Sequence, residues 1–142
     1  MLRPFTVDSS VFISALDERD PLSDSSRRWL GQVQSAGSDI VLPSIVLIEV
    51  LNVIRRRGTA DRSYLKRVHQ SIAGDPNINV INLDLAYVEL YFKFPEAIQL
   101  KSHDLVIAMC AHASKSCLVS WDKKLLGQLK KHVAVATPAE LI

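Results

Sequence analysis

No stretch of this chain is apolar for anything near the roughly 18 residues that a membrane span needs, so a membrane-spanning protein is not expected. Cysteine is scarce, with only Cys110 and Cys117. Each sits in an apolar run and reads as a small core residue rather than half of a bridge. That argues against a disulfide scaffold and fits a reducing, cytoplasmic setting. An excess of one charge is also lacking. Lys and Arg total 17 against 15 Asp and Glu, a net charge of +2, too balanced to name a partner by itself. The opening MLRPFTVD runs almost at once into a strand-like segment, so no leader peptide is expected. Repeats, low-complexity tracts and linkers are missing too. What remains is ordinary globular composition, 48% apolar and 23% charged over 142 residues. A chain of that length buries roughly 68–70% of its unfolded surface. Residues 1–142 are therefore expected to form a single domain without help from a disulfide or a structural metal.

The rest is organised around Ser44 to Arg57, SIVLIEVLNVIRRR. From Ile45 to Ile54 only Glu49 and Asn52 are polar. The run is long for a strand and comfortable for a helix. Ser44 is the expected N-cap after Pro43, and Gly58 the expected stop. A helix apolar all round is a buried helix. Glu49 then needs a partner, because a carboxylate buried alone costs several kcal/mol. Arg55, Arg56 and Arg57 lie only at the far end, where they complement the helix dipole.

Along the chain, Pro4 to Val7 reads as a strand ending at Asp8, and Ser9 or Ser10 as the cap of the helix VFISAL. Asp24 to Ala36 reads as an amphipathic helix with Trp29 and Val33 inward, stopped by Gly37. Asp39 to Leu42 is a short strand. Gly58 to Asp61, through Thr59 and Ala60, is a turn, and Arg62 to Ala73 is a helix with Leu65, Val68 and Ile72 on one face. Ile78 to Leu83 is a strand. Asp84 to Phe94 is a helix whose Tyr87, Tyr91 and Phe94 form a stripe for the core or a dimer face. Asp104 to Ala113 is a second buried helix. Cys117 to Ser120 is a strand, Lys123 to Lys131 a basic helix, Val133 to Ala136 the last strand, and Pro138 begins a terminal turn or helix. Short apolar strands alternating with helices predict a three-layer α/β/α fold with a central, mostly parallel sheet of four to five strands.

In such sheets ligands sit beyond the carboxyl ends of the strands. Asp8 and Asp122 each follow a strand, Asp104 opens one buried helix, and Glu49 lies early in the other. Four carboxylates drawn to one edge repel one another. At an effective dielectric of about 20, each pair 4 Å apart costs roughly 4 kcal/mol. A divalent cation removes that conflict, and hard oxygen ligands without a His–Cys pattern point to Mg²⁺ or Mn²⁺ rather than Zn²⁺. Such a cation suits phosphoryl chemistry.

Val7-Asp8-Ser9-Ser10-Val11-Phe12, Ile48-Glu49-Val50-Leu51-Asn52, His103-Asp104-Leu105-Val106-Ile107-Ala108 and Leu118-Val119-Ser120-Trp121-Asp122 resemble, in order, the four acidic motifs of PIN-domain ribonucleases. The likeness is greatest to VapC-like toxins of toxin–antitoxin pairs and covers nearly the whole chain. It implies a metal-dependent endoribonuclease acting on RNA, with Asp8, Glu49, Asp104 and Asp122 as catalytic and metal-holding acids. It also implies a cognate antitoxin and a homodimer. Ser120 stands where a hydroxyl, commonly Thr, precedes the last acid by two residues. Leu105, where a small residue is common, and the bulky Trp121 depart from the pattern without removing a ligand.

Around this quartet, Ser9, Ser10, Asn52, Ser120 and Arg56 are expected in supporting or substrate-facing roles. Asn52, three residues after Glu49, could hold that carboxylate. The amides after Asp8 could receive a phosphate oxygen. Lys123 and Lys124 could meet substrate. His103 could serve as a base, though a metal makes one unnecessary. Two rivals remain open: an aspartyl-phosphate phosphatase, which usually wants a second acid where Ser10 stands, and a non-catalytic domain that binds RNA or a partner through the same pocket.

Overall fold

The computed structural model describes residues 3–58 and 61–142. Thr59 and Ala60, at the centre of the expected turn, lie outside them, as do Met1 and Leu2. The strands are β1 (Phe5–Val7), β2 (Ile40–Pro43), β3 (Ile78–Ile81), β4 (Cys117–Val119) and β5 (Val135–Ala136). They form one five-stranded sheet in the order β3-β2-β1-β4-β5, parallel at every pairing. The helices are α1 (Ser9–Leu16), α2 (Ser23–Ala36), α3 (Ser44–Arg56), α4 (Arg62–Ala73), α5 (Leu85–Glu89), α6 (Ser102–Ser114), α7 (Lys123–Leu129) and α8 (Pro138–Leu141).

Alternation along β1 shows how the layers form. Successive side chains of a strand point to opposite faces. Phe5 meets Trp29 of α2 edge-on, with ring centroids 5.2 Å apart. Thr6 points the other way, its hydroxyl 3.7 Å from Cys110 Sγ of α6 and 2.7 Å from Ser116 Oγ. Helices α1 to α4 pack on one another on the Phe5 side, while α6 runs across β1, β2 and β4 on the Thr6 side. The sheet is therefore covered on both faces, which explains strands that read as apolar runs. Both cysteines are free and buried, as the apolar runs around them predict. Among the described residues no helix is long and apolar enough to cross a membrane.

Local signals act much as the sequence suggests. Gly37 ends α2 at φ 65°, its amide donating to Gln34 and Val33 carbonyls, a left-handed cap that glycine adopts without strain. Asp61 caps α4 by accepting from Tyr64 N. Three expectations need correction. Ser44 is not the N-cap of α3: Pro43 holds that place with no side-chain bond, because β2 runs straight into the helix. Nor is α3 buried all round. Val46, Leu47, Val50 and Ile54 are inside, but Ile48 is 59% exposed and Asn52 is exposed too, since α1, α4 and β2 cover only one side. The helix expected from Asp84 to Phe94 breaks into α5 and a 3₁₀ turn, Leu90–Lys93. The tighter turn rotates the stripe apart. Tyr87 and Phe94 stay buried while Tyr91 turns outward beside Phe92, Val88 and Leu85.

Candidate active site

The chain leaves β1 on one side to build β2 and β3, then returns to the other side for β4 and β5. The reversal point lies between β1 and β4, where a crevice opens beyond their carboxyl ends. Val7 pairs with Val119, and Asp8 N donates to Val119 O at 2.9 Å. The residues that follow each strand are thereby brought face to face.

Asp8 caps α1 itself, which corrects the expectation that Ser9 or Ser10 does so. Its backbone is extended, and Oδ1 accepts from Ser9 N at 2.8 Å. Oδ2 accepts from Ser10 Oγ at 3.0 Å and Ser120 Oγ at 2.7 Å. Asp8 is buried and Ser120 wholly so. Ser120 Oγ also accepts from Asp122 N at 3.0 Å, so one hydroxyl ties both strand-end acids together. Asp122 caps α7, its Oδ1 accepting from Leu125 N at 3.1 Å, and is otherwise exposed.

The helix-borne acids are held differently. Glu49 Oε2 accepts from Ser9 Oγ at 2.9 Å, and Glu49 Oε1 lies 2.5 Å from His103 Nε2. Asp104, half-buried in the first turn of α6, has no hydrogen bond or ion pair with another described side chain. Burial pushes the Glu49 carboxyl above its ordinary value, Ser9 and His103 pull it back, and Asp8 and Asp104 push it further up. Burial likewise raises Asp104, opposed by His103 and Lys101 and reinforced by Asp8 and Asp122. Asp8, Glu49 and Asp104 thus lie close enough to act on one another, and Asp122 acts on Asp104. None of them forms an ion pair with Lys or Arg among the described residues, where the Arg partners are Asp17, Glu18 and Asp24.

Of the expected supporting residues, Ser9, Ser10 and Ser120 are at the site. Asn52 is not: it is exposed and makes no bond to Glu49, because Ser9 approaches that carboxylate from α1 instead. Arg56 is exposed at the end of α3 and touches none of the acids, whereas Arg57 pairs with Asp17 at 2.9 Å. Two interactions at the site were not expected. The His103–Glu49 pair had one signal, a histidine beside an acid at the head of a buried helix. Trp121 had none: its amide donates to Ser10 Oγ at 3.2 Å and its indole Nε1 to Ser26 Oγ at 2.8 Å, bracing the β4–α7 loop against α2.

The oxygen donors suit a hard divalent cation in charge and type. Among the described residues no three His, Cys, Asp or Glu side chains already stand in a ligating array. The acids share a field rather than a ready-made coordination sphere.

A family model described as the PIN domain matches residues 5–130. The chain belongs to the PIN-domain family. Its parallel sheet, with acids at the β1/β4 crevice, is the PIN fold with VapC-like structural relatives. A toxin–antitoxin complex from Klebsiella pneumoniae is 18% identical, with TM-score 0.65, covering 94% of this chain and 96% of that one. VapBC2 from Rickettsia felis, bound to a DNA fragment from its promoter, is 17% identical with TM-score 0.62, covering 94% and 98%. Mycobacterium tuberculosis VapC20, a sarcin-ricin loop cleaving toxin, is 11% identical with TM-score 0.65, covering 87% and 93%. No curated protein sequence matches this PIN-domain chain.

Proposed function

We propose that this PIN-domain protein is a Mg²⁺- or Mn²⁺-dependent endoribonuclease, the cytoplasmic toxin of a toxin–antitoxin pair, held in check by a cognate antitoxin. The observation that carries this reading is the gathering of Asp8, Glu49, Asp104 and Asp122 at the β1/β4 crevice, none of them in an ion pair with Lys or Arg among the described residues. Those four would hold the cation. When bound, it would neutralise charge on the phosphodiester and acidify a water.

The chain's own residues supply the positioning. Ser10 and Ser120 fix the Asp8 carboxylate in one orientation, and Ser9 and His103 fix Glu49. The phosphatase alternative loses support because Ser10, where its second acid would stand, spends its hydroxyl on Asp8 and Trp121 N. The toxin role draws on the likeness to toxin structures. A homodimer is favoured by the exposed apolar ledge of Leu85, Val88, Tyr91 and Phe92. Asp8→Asn tests the central claim. Metal-dependent RNA cleavage should fall by more than about 100-fold, beyond the roughly 10–100-fold typical of outer-shell changes, with circular dichroism unchanged. Full activity in that variant ends the nuclease reading of this site.

A further inference from the structure

The acidic crevice continues into a second hollow. Between the first turns of α6 and α7 lies a cavity of about 200 Å³ that shares Asp104 and Asp122 with the cluster. Its other polar walls are Lys101, Lys124, Gln99 and Gln128. Lys101 is the residue before α6, three positions from Asp104, and its charge reaches that carboxylate. Lys124 and Gln128 are one turn apart on α7 and so share a face. The buried Leu125 forms an apolar floor.

This lining is unusual beside a nest of carboxylates. The acids repel a polyanion at the point where it would be cut. Two ammonium groups, of Lys101 and Lys124, share the hollow with Asp104 and Asp122 and offset part of that repulsion. Two glutamine amides add donors and acceptors in equal number, the kind of pairing that matches the edge of a base. An acidic peptide could meet the lysines and pair its backbone with the amides, but it would have no bond for the neighbouring acids to cut on the nuclease reading. A duplex would keep its base edges paired and out of a recess between two helices. A single unpaired nucleotide uses both sets.

We propose that this hollow seats the nucleotide beside the scissile phosphate of single-stranded RNA. Lys101 and Lys124 take backbone phosphates, and Gln99 and Gln128 read the base edge, so that cut-site choice is made here. The assignment rests on the nuclease reading of the neighbouring acids, and its test separates the two.

Full-length Asp8→Asn protein, which should bind without cutting, is titrated with a labelled single-stranded RNA pool at several salt concentrations. Adding Lys101→Ala and Lys124→Ala together should weaken binding about tenfold at 0.1 M salt. The log–log salt slope should shrink by roughly 0.7 for each phosphate that the missing lysines no longer neutralise. Gln99→Ala with Gln128→Ala should leave the slope unchanged and, in the protein with Asp8 intact, broaden the sequences cut while raising KM more than it lowers kcat. All four side chains are exposed, so the variants should fold. Unchanged salt slope, KM and cut sites in both pairs overturn the assignment while cleavage by the parent protein keeps the nuclease reading. RNA that binds Asp8→Asn through these residues but is never cut by the parent protein overturns the nuclease reading alone. No RNA binding by Asp8→Asn protein overturns the hollow's role outright.

Discussion

The two halves of the acidic crevice are built on different principles. Asp8 and Asp122 follow parallel strands and cap the helices they open, so each carboxylate also does structural service. Glu49 and Asp104 ride on helices from opposite faces of the sheet. Both are raised by burial and by the other acids, and Asp104 has no hydrogen-bond partner among the described residues. The strand-end half would persist as folding chemistry even without a task. The helix half costs the fold stability, and such costs concentrate where function requires them.

The contrast is broken or sharpened most strongly by alanine. Asp8→Ala removes an N-cap worth about 1 kcal/mol and leaves the Ser120 hydroxyl buried without its acceptor. It should destabilise the protein by about 2–3 kcal/mol. Asp104→Ala should cost nothing or stabilise metal-free protein. Denaturant titration compares them, and equal losses would erase the distinction. Next comes Ser120→Ala, which unties Asp8 from Asp122. Metal affinity or cleavage should drop by about 10–100-fold, with Ser120→Thr near the parent value; a threonine as poor as alanine means the hydroxyl is not what matters.

A pH series probes the helix half more gently. Glu49 and Asp104 hold protons more tightly folded than unfolded. From their ordinary values of 4.5 and 3.8 up through the raised ones, the native state binds the more protons. Unfolding then releases protons, so the stability these groups allow is full at low pH and is lost as pH rises through that window. In metal-free protein, the Tm of Glu49→Gln relative to the parent should therefore climb with pH, and Mg²⁺ should stabilise the variant less than the parent. A constant offset, with an unchanged response to Mg²⁺, makes Glu49 structural. The smallest effect is expected at Arg56→Ala, within about 0.5 kcal/mol of parent stability, because its exposed side chain touches none of the acids.

The strand-end half was also the legible half. A run of apolar residues followed by an acid says both where a strand stops and where a crevice opens, so Asp8 and Asp122 could be placed from the sequence. Glu49 and Asp104 were legible as anomalies, charges in otherwise apolar helices. Their partners were not. Ser9 reads equally well as a cap, and only the approach of α1 to α3 shows its hydroxyl on Glu49 rather than on its own backbone. The near choice, Asn52, failed because a residue three places along a helix turns outward when only one side is covered. His103 meets Glu49 across a tertiary contact with no periodicity to announce it. The split of α5 from its 3₁₀ turn was hidden for a related reason: aromatic spacing fits a helix until the pitch changes.

The bond between Ser120 and Asp8 spans 112 positions. Strands β2 and β3 can line up beside β1 while the polypeptide is still being made, but β4 is made only after both of them. A growing chain that stops short of it holds three of the acids without the hydroxyl that orients the first. The order of synthesis therefore withholds the oriented carboxylate until β4 has been made.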